Sequence, residues 1–385
     1  MSRFNILKAR RIKTSGIKNA RIIDQDSVSA SLAKAFFDVE KELDMKVKSV
    51  LLCIPSVGVQ CVKRRVNVPI EEGSKRIRSA HARFGLEKVI ETYNSETHQF
   101  VNVGAVKYIN SGISSRSIPL DEQADTLSLE VELLCVEKEI VYEHAMAVEA
   151  AGINILDIYL DDYAIAEESA ILENSMERYI VLIDFGKQKT GFTLFHKGNF
   201  LASSELGFGY QRFVETIRRK YHLTYRESVK ILKESAIFSD MEYNDAIVYV
   251  WLEQGEHKQI TRKEIYECIK EELASWVNAV NTVNETIADI AGTKMVVSGS
   301  GADIVGVEHI LSSFSIPAEV YVPNNIGARK GCYTATLGAV YCYRKMQALQ
   351  SQYGDMQTSL EKNISVHEKD ENAFTKKLKS ILLNR

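Results

Sequence analysis

A short segment near the middle of the chain has the composition of a phosphate-binding hairpin. It reads VLIDFGKQKTGFTLF from Val181 to Phe195, so two apolar strands flank a tip that holds one glycine and two lysines. A glycine at such a tip lets backbone N–H groups approach a phosphate, and lysine side chains attract phosphate as point charges. The alternative is a structural β-turn with solvated lysines. The candidate nucleotide-binding residues are Asp184, Gly186, Lys187, Gln188, Lys189 and Thr190.

A second candidate segment is the loop SGSGA at Ser298–Ala302. It follows the buried strand TKMVV and is predicted to open a helix. Its glycines would let the backbone pass close to an adenosine ring, while the N-terminus of the predicted helix would face phosphate. The alternative is a tight strand–helix turn without a ligand. The candidate residues are Gly299, Ser300 and Gly301. No general base stands out, so we predict no catalytic residue and no metal ligand.

The C-terminal sequence ENAFTKKLKSILLNR has the pattern of a helix that lies on a membrane surface. Its apolar side chains fall at i, i+4, i+7 and i+8 and form one stripe, and basic side chains occupy the remainder. A polar segment separates it from the core. The alternative is a helix that docks on its own domain. The predicted membrane-binding residues are Phe374, Lys376, Lys377, Leu378, Lys379, Ile381, Leu382 and Arg385.

The bulk composition sets limits on these readings. With 385 residues, 45% hydrophobic and 26% charged, the chain is long enough for two globular domains. The net charge of −3 provides no global basic field, so nucleic acid is not an expected partner. Six cysteines without C-x-x-C spacing are expected to be reduced thiols. The sequence has neither a signal-peptide core nor a run of about 18 apolar residues.

The elements that would position the hairpin are predicted from continuous apolar runs. RYIVLIDFG, TGFTLFH and NFLASSELG read as consecutive antiparallel strands with a turn at His196–Gly198, and a helix follows at about Phe208–Tyr221. Further on, LTYRESVKILKESAIF and ITRKEIYECIKEELASWVNAVNTVNETIADIAG are predicted helices. They flank a strand pair around AIVYVWLEQGEHKQI.

The N-terminal part is predicted to repeat the same structural unit, but without that unit's first strands. FNILKARRI is predicted as a strand, DQDSVSASLAKAFFDVEKELDM as a helix capped by Asp24 or Asp26, and VKSVLLCIPSVGV as a buried strand. If the halves repeat one unit, the first half starts at its third strand, and its own hairpin is not in this chain. Between the halves we predict an α+β module of roughly 90 residues from about Val66 to Asp157, which ends in a helix closed by Gly152.

The order of a D-x-G hairpin, a helical insert and a strand–SGSGA–helix unit, with the inserted module and the amphipathic C-terminus, resembles FtsA, the bacterial actin-like cell-division family. The resemblance spans Phe4 to Arg385 and implies an α/β fold of the actin-like, duplicated ribonuclease-H-like type. It implies these parts: 1–65, an incomplete first actin-like half; 66–157, the inserted module; 158–178, a linking helix of the first half; 179–225 and 293–349, the second half; 226–292, a helical subdomain; 350–372, a flexible tether; and 373–385, the membrane helix.

The resemblance also implies a function. The family binds ATP between the halves and anchors FtsZ to the membrane, so the implied cofactors are ATP and Mg²⁺. The implied partners are FtsZ, an anionic membrane surface, further copies of the chain in filaments, and later division proteins. The implied location is the cytoplasmic side of the cell membrane at the division septum. As an enzyme the chain would be at most a weak ATPase.

The chain departs from the family pattern where phosphate would bind. The family hairpin reads D-I-G-G-G-T-T-D, and Asp184, Gly186 and Thr190 match it. Two glycines are replaced by Lys187 and Gln188, and the closing acid is a glycine. These residues cannot approach phosphate as cheaply as glycine does. The family's first phosphate hairpin is missing, and the simplest expectation is that the chain starts at a downstream methionine.

The predicted helix TYRESVKIL corresponds to a family helix that carries a Glu and a Lys. In this chain Val229 stands at the Glu position, so this contact of the nucleotide site is predicted to be weakened. The sequence therefore predicts a division scaffold with weak or vestigial ATP binding. Two other functions stay open: the related pilus-assembly adaptor, and a small-molecule kinase of the same superfamily. Against the kinase, no substrate-binding acid lies in a recognisable loop. Against the adaptor, this kind of C-terminal helix would be unexpected.

Overall fold

The computed structural model of the chain describes residues 5–71, 73, 75–235, 237–238, 245–253 and 255–351. The chain divides into two units, which we call the first unit (Arg10–Ala164 with Thr336–Arg385) and the second unit (Met1–Ala9 with Ile165–Ala335). The predicted tether overlaps the last helix at residues 350 and 351, and its remainder lies outside the described residues, as does the whole predicted membrane helix.

The first unit contains a small α+β module and a short parallel strand pair. Its elements in chain order are β1 (Ile17–Lys18), β2 (Arg21–Ile22), α1 (Gln25–Leu43), β3 (Ser49–Ile54), β4 (Gln60–Pro69), α2 (Ser79–Thr92), β5 (His98–Asn110), β6 (Ile113–Ser115), β7 (Thr126–Glu137), α3 (Lys138–Ala150) and β8 (Asn154–Leu160). Strands β3 and β8 pair in parallel. Strands β1 and β2 form a short antiparallel pair, and a four-stranded antiparallel sheet has the order β4-β7-β5-β6, with α2 packed on β4 and β7.

Local sequence signals explain where these elements begin. Of the two cap candidates, Asp24 is the N-cap of α1, because its carboxylate accepts a 3.0 Å hydrogen bond from the amide of Ser27. In β7, Leu127, Leu129 and Val131 alternate with less buried residues, so one face of the strand enters the core. The sheet of the module begins at Gln60, ahead of the predicted boundary at residue 66.

Two predicted elements of the N-terminal half are not formed. Residues 5–12 adopt no strand, because their polar groups find no neighbouring strand; Arg10 instead pairs with Asp38 and Glu42 on α1. Residues 158–178 are not one linking helix either. They hold the end of β8, α4 (Asp161–Glu168) and α5 (Ile171–Asn174), and the chain breaks between the two helices at Ala170, whose φ is +57°.

The second unit is built on one mixed sheet. Its remaining elements are β9 (Ile180–Phe185), β10 (Thr190–His196), β11 (Asn199–Leu206), α6 (Gln211–Tyr221), α7 (Tyr225–Glu234), β12 (Ile247–Glu253), β13 (Glu256–Thr261), α8 (Arg262–Val283), α9 (Glu285–Ala288), β14 (Lys294–Ser298), a 3₁₀ helix (Val307–Ser313), β15 (Ala318–Val320), a 3₁₀ turn (Gly331–Tyr333) and α10 (Thr334–Ser351), which continues into the first unit.

The five-stranded sheet of the second unit has the order β11-β10-β9-β14-β15, and β12 and β13 form a separate antiparallel pair. The three consecutive antiparallel strands predicted from the sequence are confirmed, and β14 adds in parallel to β9. A single apolar cluster joins β9 and β14 to α6, α7 and α8, and it includes the fully buried Phe185, Phe213 and Trp276. Among the described residues, no helix combines the length and the apolar character needed to cross a bilayer.

Candidate functional site

The tip of the β9–β10 hairpin comprises Gly186–Lys189. Thr190 lies opposite Phe185 in the antiparallel register, and the amide of Gly186 closes the tip with a 3.0 Å hydrogen bond to the carbonyl of Lys189. Because β9 is buried along almost its whole length, its backbone polar groups are used inside the sheet. The tip is therefore the part of the hairpin whose backbone can meet a ligand.

The start of α6 holds this tip. The amides of Tyr210 and Gln211 donate to the carbonyls of Gly186 and Lys187 at 3.2 and 2.8 Å. Such amides at a helix start have no partner within the helix, so the hairpin satisfies them. Gly209 permits the contact, since a Cβ at that position would lie 2.4 Å from the carbonyl oxygen of Lys187. The carbonyl groups of the tip are thereby fixed by protein.

The side chains of the tip have unequal surroundings. The ammonium of Lys187 lies 4.8 Å from the centroid of the Tyr225 ring on α7, a cation–π contact. Lys189 forms a 2.6 Å ion pair with Glu205 on β11. Gln188 is exposed. Within the described residues, the amides of Lys187 and Gln188 donate no hydrogen bond, so two backbone N–H groups can receive an anion.

Thr190 faces the core of the second unit. Its side chain is fully buried; the hydroxyl donates to the carbonyl of Phe208 at 2.6 Å and accepts from Nε1 of Trp276 at 3.0 Å. Buried polar groups require such partners. The structure thus gives Thr190 a role in the fold, and its contact with a nucleotide stays a prediction.

The loop Ser298–Ala302 lies directly against the end of β9. Ser298 is opposite Asp184 in the parallel register of β14 and β9, and the amide of Gly301 donates to the carbonyl of Phe185 at 2.6 Å. Only glycine fits at Gly301, because a Cβ there would lie 2.2 Å from Cδ1 of Phe185. The fold therefore brings the two predicted nucleotide-binding segments together at the carboxyl ends of two neighbouring strands.

The prediction that this loop opens a helix is wrong. The amides of Ala302 and Ile304 donate to the carbonyls of Gly299 and Gly301, which are three-residue steps typical of turns. The next regular element is the 3₁₀ helix, which begins at Val307. Gly306, whose φ is +85°, lies in the left-handed region and interrupts any continuous i→i−4 ladder before Val307. A helix N-terminus is therefore not what faces a ligand at this loop.

Lys233, at the end of α7, is a site residue that the sequence reasoning missed. Its ammonium donates to the carbonyl of Ser300 at 2.7 Å and lies 4.7 Å from the centroid of the Tyr210 ring. The signal that could have found it is its spacing of one helical turn from Val229. Val229 itself is half-buried and packs against the apolar core.

The far side of the loop is held by two polar contacts. The carboxylate of Asp303 accepts a 2.6 Å hydrogen bond from the amide of Gly331, and the hydroxyls of Ser298 and Thr334 lie 3.2 Å apart. Several independent bonds therefore fix the loop backbone. A fixed backbone of small residues, next to two unused amides and an ammonium group, is chemically suited to bind a phosphate-bearing ligand.

Known proteins are similar to the chain over most of its length, at about 20% identity. No family model matches the chain. The chain is 21% identical over 344 residues to the cell division protein FtsA of Staphylococcus epidermidis, which covers 87% of this chain and 73% of that protein. It is 22% identical over 341 residues to FtsA of Bacillus subtilis, covering 87% and 77%, and 20% identical over 385 residues to FtsA of Enterococcus hirae, covering 96% and 86%.

Solved structures share the fold. The chain matches the PilM–PilN type IV pilus biogenesis complex with a TM-score of 0.54 at 13% identity, covering 86% of this chain and 89% of that one. It matches MreB5 of Spiroplasma citri bound to ADP with a TM-score of 0.50 at 12% identity, covering 87% and 80%. The resemblance to FtsA and the actin-like α/β fold predicted from the sequence are confirmed.

Proposed function

We propose that the chain is an actin-like scaffold of bacterial cell division, which tethers FtsZ filaments to the cytoplasmic membrane, assembles with further copies and recruits later division proteins. The observation that carries this proposal is the meeting of the tip Gly186–Lys189 with the loop Gly299–Gly301, joined by the 2.6 Å bond between Gly301 and Phe185. It occurs in a chain similar to FtsA over most of its length.

We assign ATP, with Mg²⁺, as the ligand of this site. The amides of Lys187 and Gln188 would receive a phosphate, and the ammonium of Lys187 would add a positive charge. The loop Gly299–Gly301 would pass close to the adenosine. Binding is expected to be weak, because Lys187 must leave the Tyr225 ring, and Lys189 is already paired with Glu205. Both contacts are worth about 0.5–1 kcal/mol each at such exposed positions.

The membrane attachment rests on the predicted helix at residues 373–385. Its four basic residues contribute on the order of 1 kcal/mol each near an anionic leaflet. Its apolar stripe adds roughly 1.5–3 kcal/mol per side chain at full burial, which an interface does not reach. Ordering the segment costs about 1–2 kcal/mol per residue. One copy should therefore bind marginally, and several copies held on a filament should bind stably, since linking weak sites raises apparent affinity by roughly 10²–10⁴.

The deciding experiment is co-sedimentation of the purified full chain with anionic phosphatidylglycerol vesicles, with and without FtsZ polymers. We expect little pelleting of the chain with vesicles alone, and strong pelleting of vesicles, chain and polymers together. Pelleting of the chain that does not change when FtsZ polymers are added would contradict the proposed scaffold function. Co-purification with a pilus membrane protein would instead favour the pilus adaptor, and phosphorylation of a compound in a small-molecule panel would favour the kinase.

Nucleotide binding is tested separately by equilibrium dialysis with Mg-ATP. We expect a Kd weaker than about 1 µM, equivalent to about −8 kcal/mol, and negligible hydrolysis. Lys187→Ala should weaken binding further, whereas the exposed Lys263→Ala, on α8, should not. Tight binding that does not depend on Lys187 would show that the tip is not the phosphate site.

A further inference from the structure

A cavity of about 420 Å³ lies at the amino ends of β9 and β14, in the second unit. Its apolar lining comprises Ile180 and Val296, which are buried, and Met176, which is 44% exposed. The candidate nucleotide site lies at the carboxyl ends of the same two strands, so the cavity is a separate feature. Binding sites for small molecules typically enclose about 300–1,000 Å³, so this cavity is large enough to hold one.

One face of the sheet forms the first wall of the cavity. Lys294 pairs with Ile180 in the parallel register of β14 and β9. Val296 pairs with Glu319 in the parallel register of β14 and β15. Because side chains alternate along a strand and paired residues share a face, these four side chains lie on one side of the sheet, while the intervening Met295 enters the apolar core on the other. The first wall therefore combines an apolar base with one cation and one carboxylate.

The residues just before β9 form the second wall, and hydrogen bonds hold them in place. Ser175 is fully buried; its carbonyl accepts from the amide of Lys197 at 2.6 Å, and its hydroxyl accepts from the amide of Gly198 at 3.1 Å. The carbonyl of Tyr179 accepts from the amide of Lys294 at 3.1 Å. These bonds fix the chain on either side of the cavity residues 176–178, so the cavity is preformed.

Charged groups of both signs line the cavity without pairing with each other. Arg178 on the second wall and Lys294 on the first are the cations, and Glu319 is the carboxylate of the first wall. Within the described residues, none of these three side chains forms an ion pair or a hydrogen bond. Glu173 and Glu177 add two further carboxylates to the second wall. Opposite charges that line one cavity and stay apart leave room for a ligand that contacts both.

The charge pattern indicates the class of ligand. A simple anion would meet three carboxylates, and a simple amine would leave two cations without a counter-charge. A zwitterion satisfies both sets, because its carboxylate accepts charge-assisted hydrogen bonds from the cations and its ammonium group donates them to a carboxylate. The apolar surface of Ile180 and Val296 adds a place where an apolar side chain is removed from water.

We propose that the cavity binds a small zwitterion that carries an apolar side chain, which is the chemistry of an apolar α-amino acid. Arg178 and Lys294 receive its carboxylate, Glu319 receives its ammonium group, and Ile180 and Val296 pack against its side chain. The inference does not rest on the proposed function, because the cavity is lined by no residue of the candidate nucleotide site and by none of the predicted membrane helix.

Binding of L-leucine to the full chain, without nucleotide, FtsZ or vesicles, tests the proposal. Titration followed by saturation-transfer NMR should give a Kd of about 1 mM or tighter, which requires only an ordinary binding energy from each of about nine non-hydrogen atoms. N-Acetylleucine lacks the ammonium group, leucinamide lacks the carboxylate and glycine lacks the side chain, so each should bind at least about fivefold more weakly.

Two outcomes of this titration would overturn the proposal. If leucine does not bind at concentrations up to about 10 mM, the cavity is a solvated groove. If N-acetylleucine or leucinamide binds as tightly as leucine, the cavity does not recognise a zwitterion.

Variants locate the binding. Lys294→Met and Glu319→Gln should each weaken leucine binding at least about threefold, because each removes one charged contact. Lys230→Met, on α7, is the matched control and should leave binding unchanged. All three side chains are exposed, so the urea midpoints of the variants should equal that of the parent, and lost binding does not reflect unfolding. Leucine binding that neither cavity variant weakens would lie elsewhere and would overturn the assignment to this cavity.

Discussion

The ammonium of Lys233 is bonded to the carbonyl of Ser300 at 2.7 Å, which ties the end of α7 to the glycine loop after β14. The two residues are 67 positions apart in sequence. The bond, together with the contact between Lys233 and the Tyr210 ring, places one charged side chain between the loop and the start of α6. We therefore expect the conformational order of the loop Ser298–Ala302 to depend on the side chain of Lys233.

Lys233→Met tests this dependence. Removing the ammonium keeps most of the apolar stem and leaves the Ser300 carbonyl without its donor, at a cost of about 1–2 kcal/mol for this half-buried pair. We expect faster hydrogen exchange across residues 298–304 and weaker ATP binding. Lys230→Met, exposed on the same helix, should change stability by no more than about 0.5 kcal/mol. Unchanged exchange in the loop would contradict the role of Lys233.

Gly301→Ala should disrupt the contact between the loop and β9. The new Cβ would lie 2.2 Å from the ring of Phe185 and 2.7 Å from its carbonyl, so the loop must move, at a cost of at least about 2 kcal/mol. Gly207→Ala is the matched control, because nothing lies within 4 Å of its Cβ position. Urea unfolding followed by tryptophan fluorescence measures the effect, since both tryptophans, Trp251 and Trp276, lie in the second unit. Equal midpoints for the two variants would refute the packing argument.

Thr190→Val should destabilise the second unit without an appreciable change of volume. It leaves the carbonyl of Phe208 without its donor and Nε1 of Trp276 without its acceptor, and each such buried group costs about 1–3 kcal/mol. Thr190→Ser retains the hydroxyl and should lose clearly less. Urea unfolding followed by tryptophan fluorescence compares the stability of the two variants. Equal stability of the valine and serine variants would contradict this hydrogen-bond network.

Glu168→Gln should change how stability depends on pH. Burial raises the pKa of Glu168 to about 7; the hydrogen bond from Tyr321 lowers this pKa, and nearby Glu167 raises it. An unfolded Glu titrates near about 4.3, so the folded state binds more protons between about pH 4.3 and 7, and the free energy of unfolding falls as pH rises through that window.

The glutamine variant removes this penalty. Above pH 7 we expect it to be more stable than the parent by about 1–2 kcal/mol, a figure reduced for screening by solvent. The difference should disappear at pH 4. Glu177→Gln, exposed in the same unit, is the control. Urea unfolding at pH 4, 6 and 8 provides the comparison, and a difference that does not vary with pH would exclude Glu168 as its source.

Leu378→Glu should abolish binding of the chain to anionic vesicles, because it places a charge in the middle of the predicted apolar stripe. Ser380→Glu adds the same charge on the predicted polar face and is the matched control, so it should weaken binding only modestly. Binding to the vesicles is measured by co-sedimentation in the presence of FtsZ polymers, because the chain alone is expected to bind only marginally. Loss of binding in both variants would indicate that charge alone, without insertion of the stripe, holds the chain on the membrane.

The sequence by itself determined those features that depend on neighbouring residues. The strand pattern around Asp184, the helix α7 and the glycine loop after β14 follow from local periodicity and turn chemistry, and they are found where they were predicted, whereas the structure selected Asp24 from the two predicted cap candidates of α1. The resemblance to FtsA and the actin-like fold were also reached from sequence, because the order of such elements is itself a one-dimensional signal.

Tertiary structure alone decided which of these residues meet. No local pattern could place Lys233 on Ser300, Lys187 on Tyr225, or the hydroxyl of Thr190 between Phe208 and Trp276, since each contact joins segments distant in sequence. The same reason explains the errors. A strand at residues 5–12 needs a partner strand, and a helix after Gly301 needs a continuous right-handed backbone, which Gly306 with its φ of +85° interrupts; both conditions are set by the packed fold.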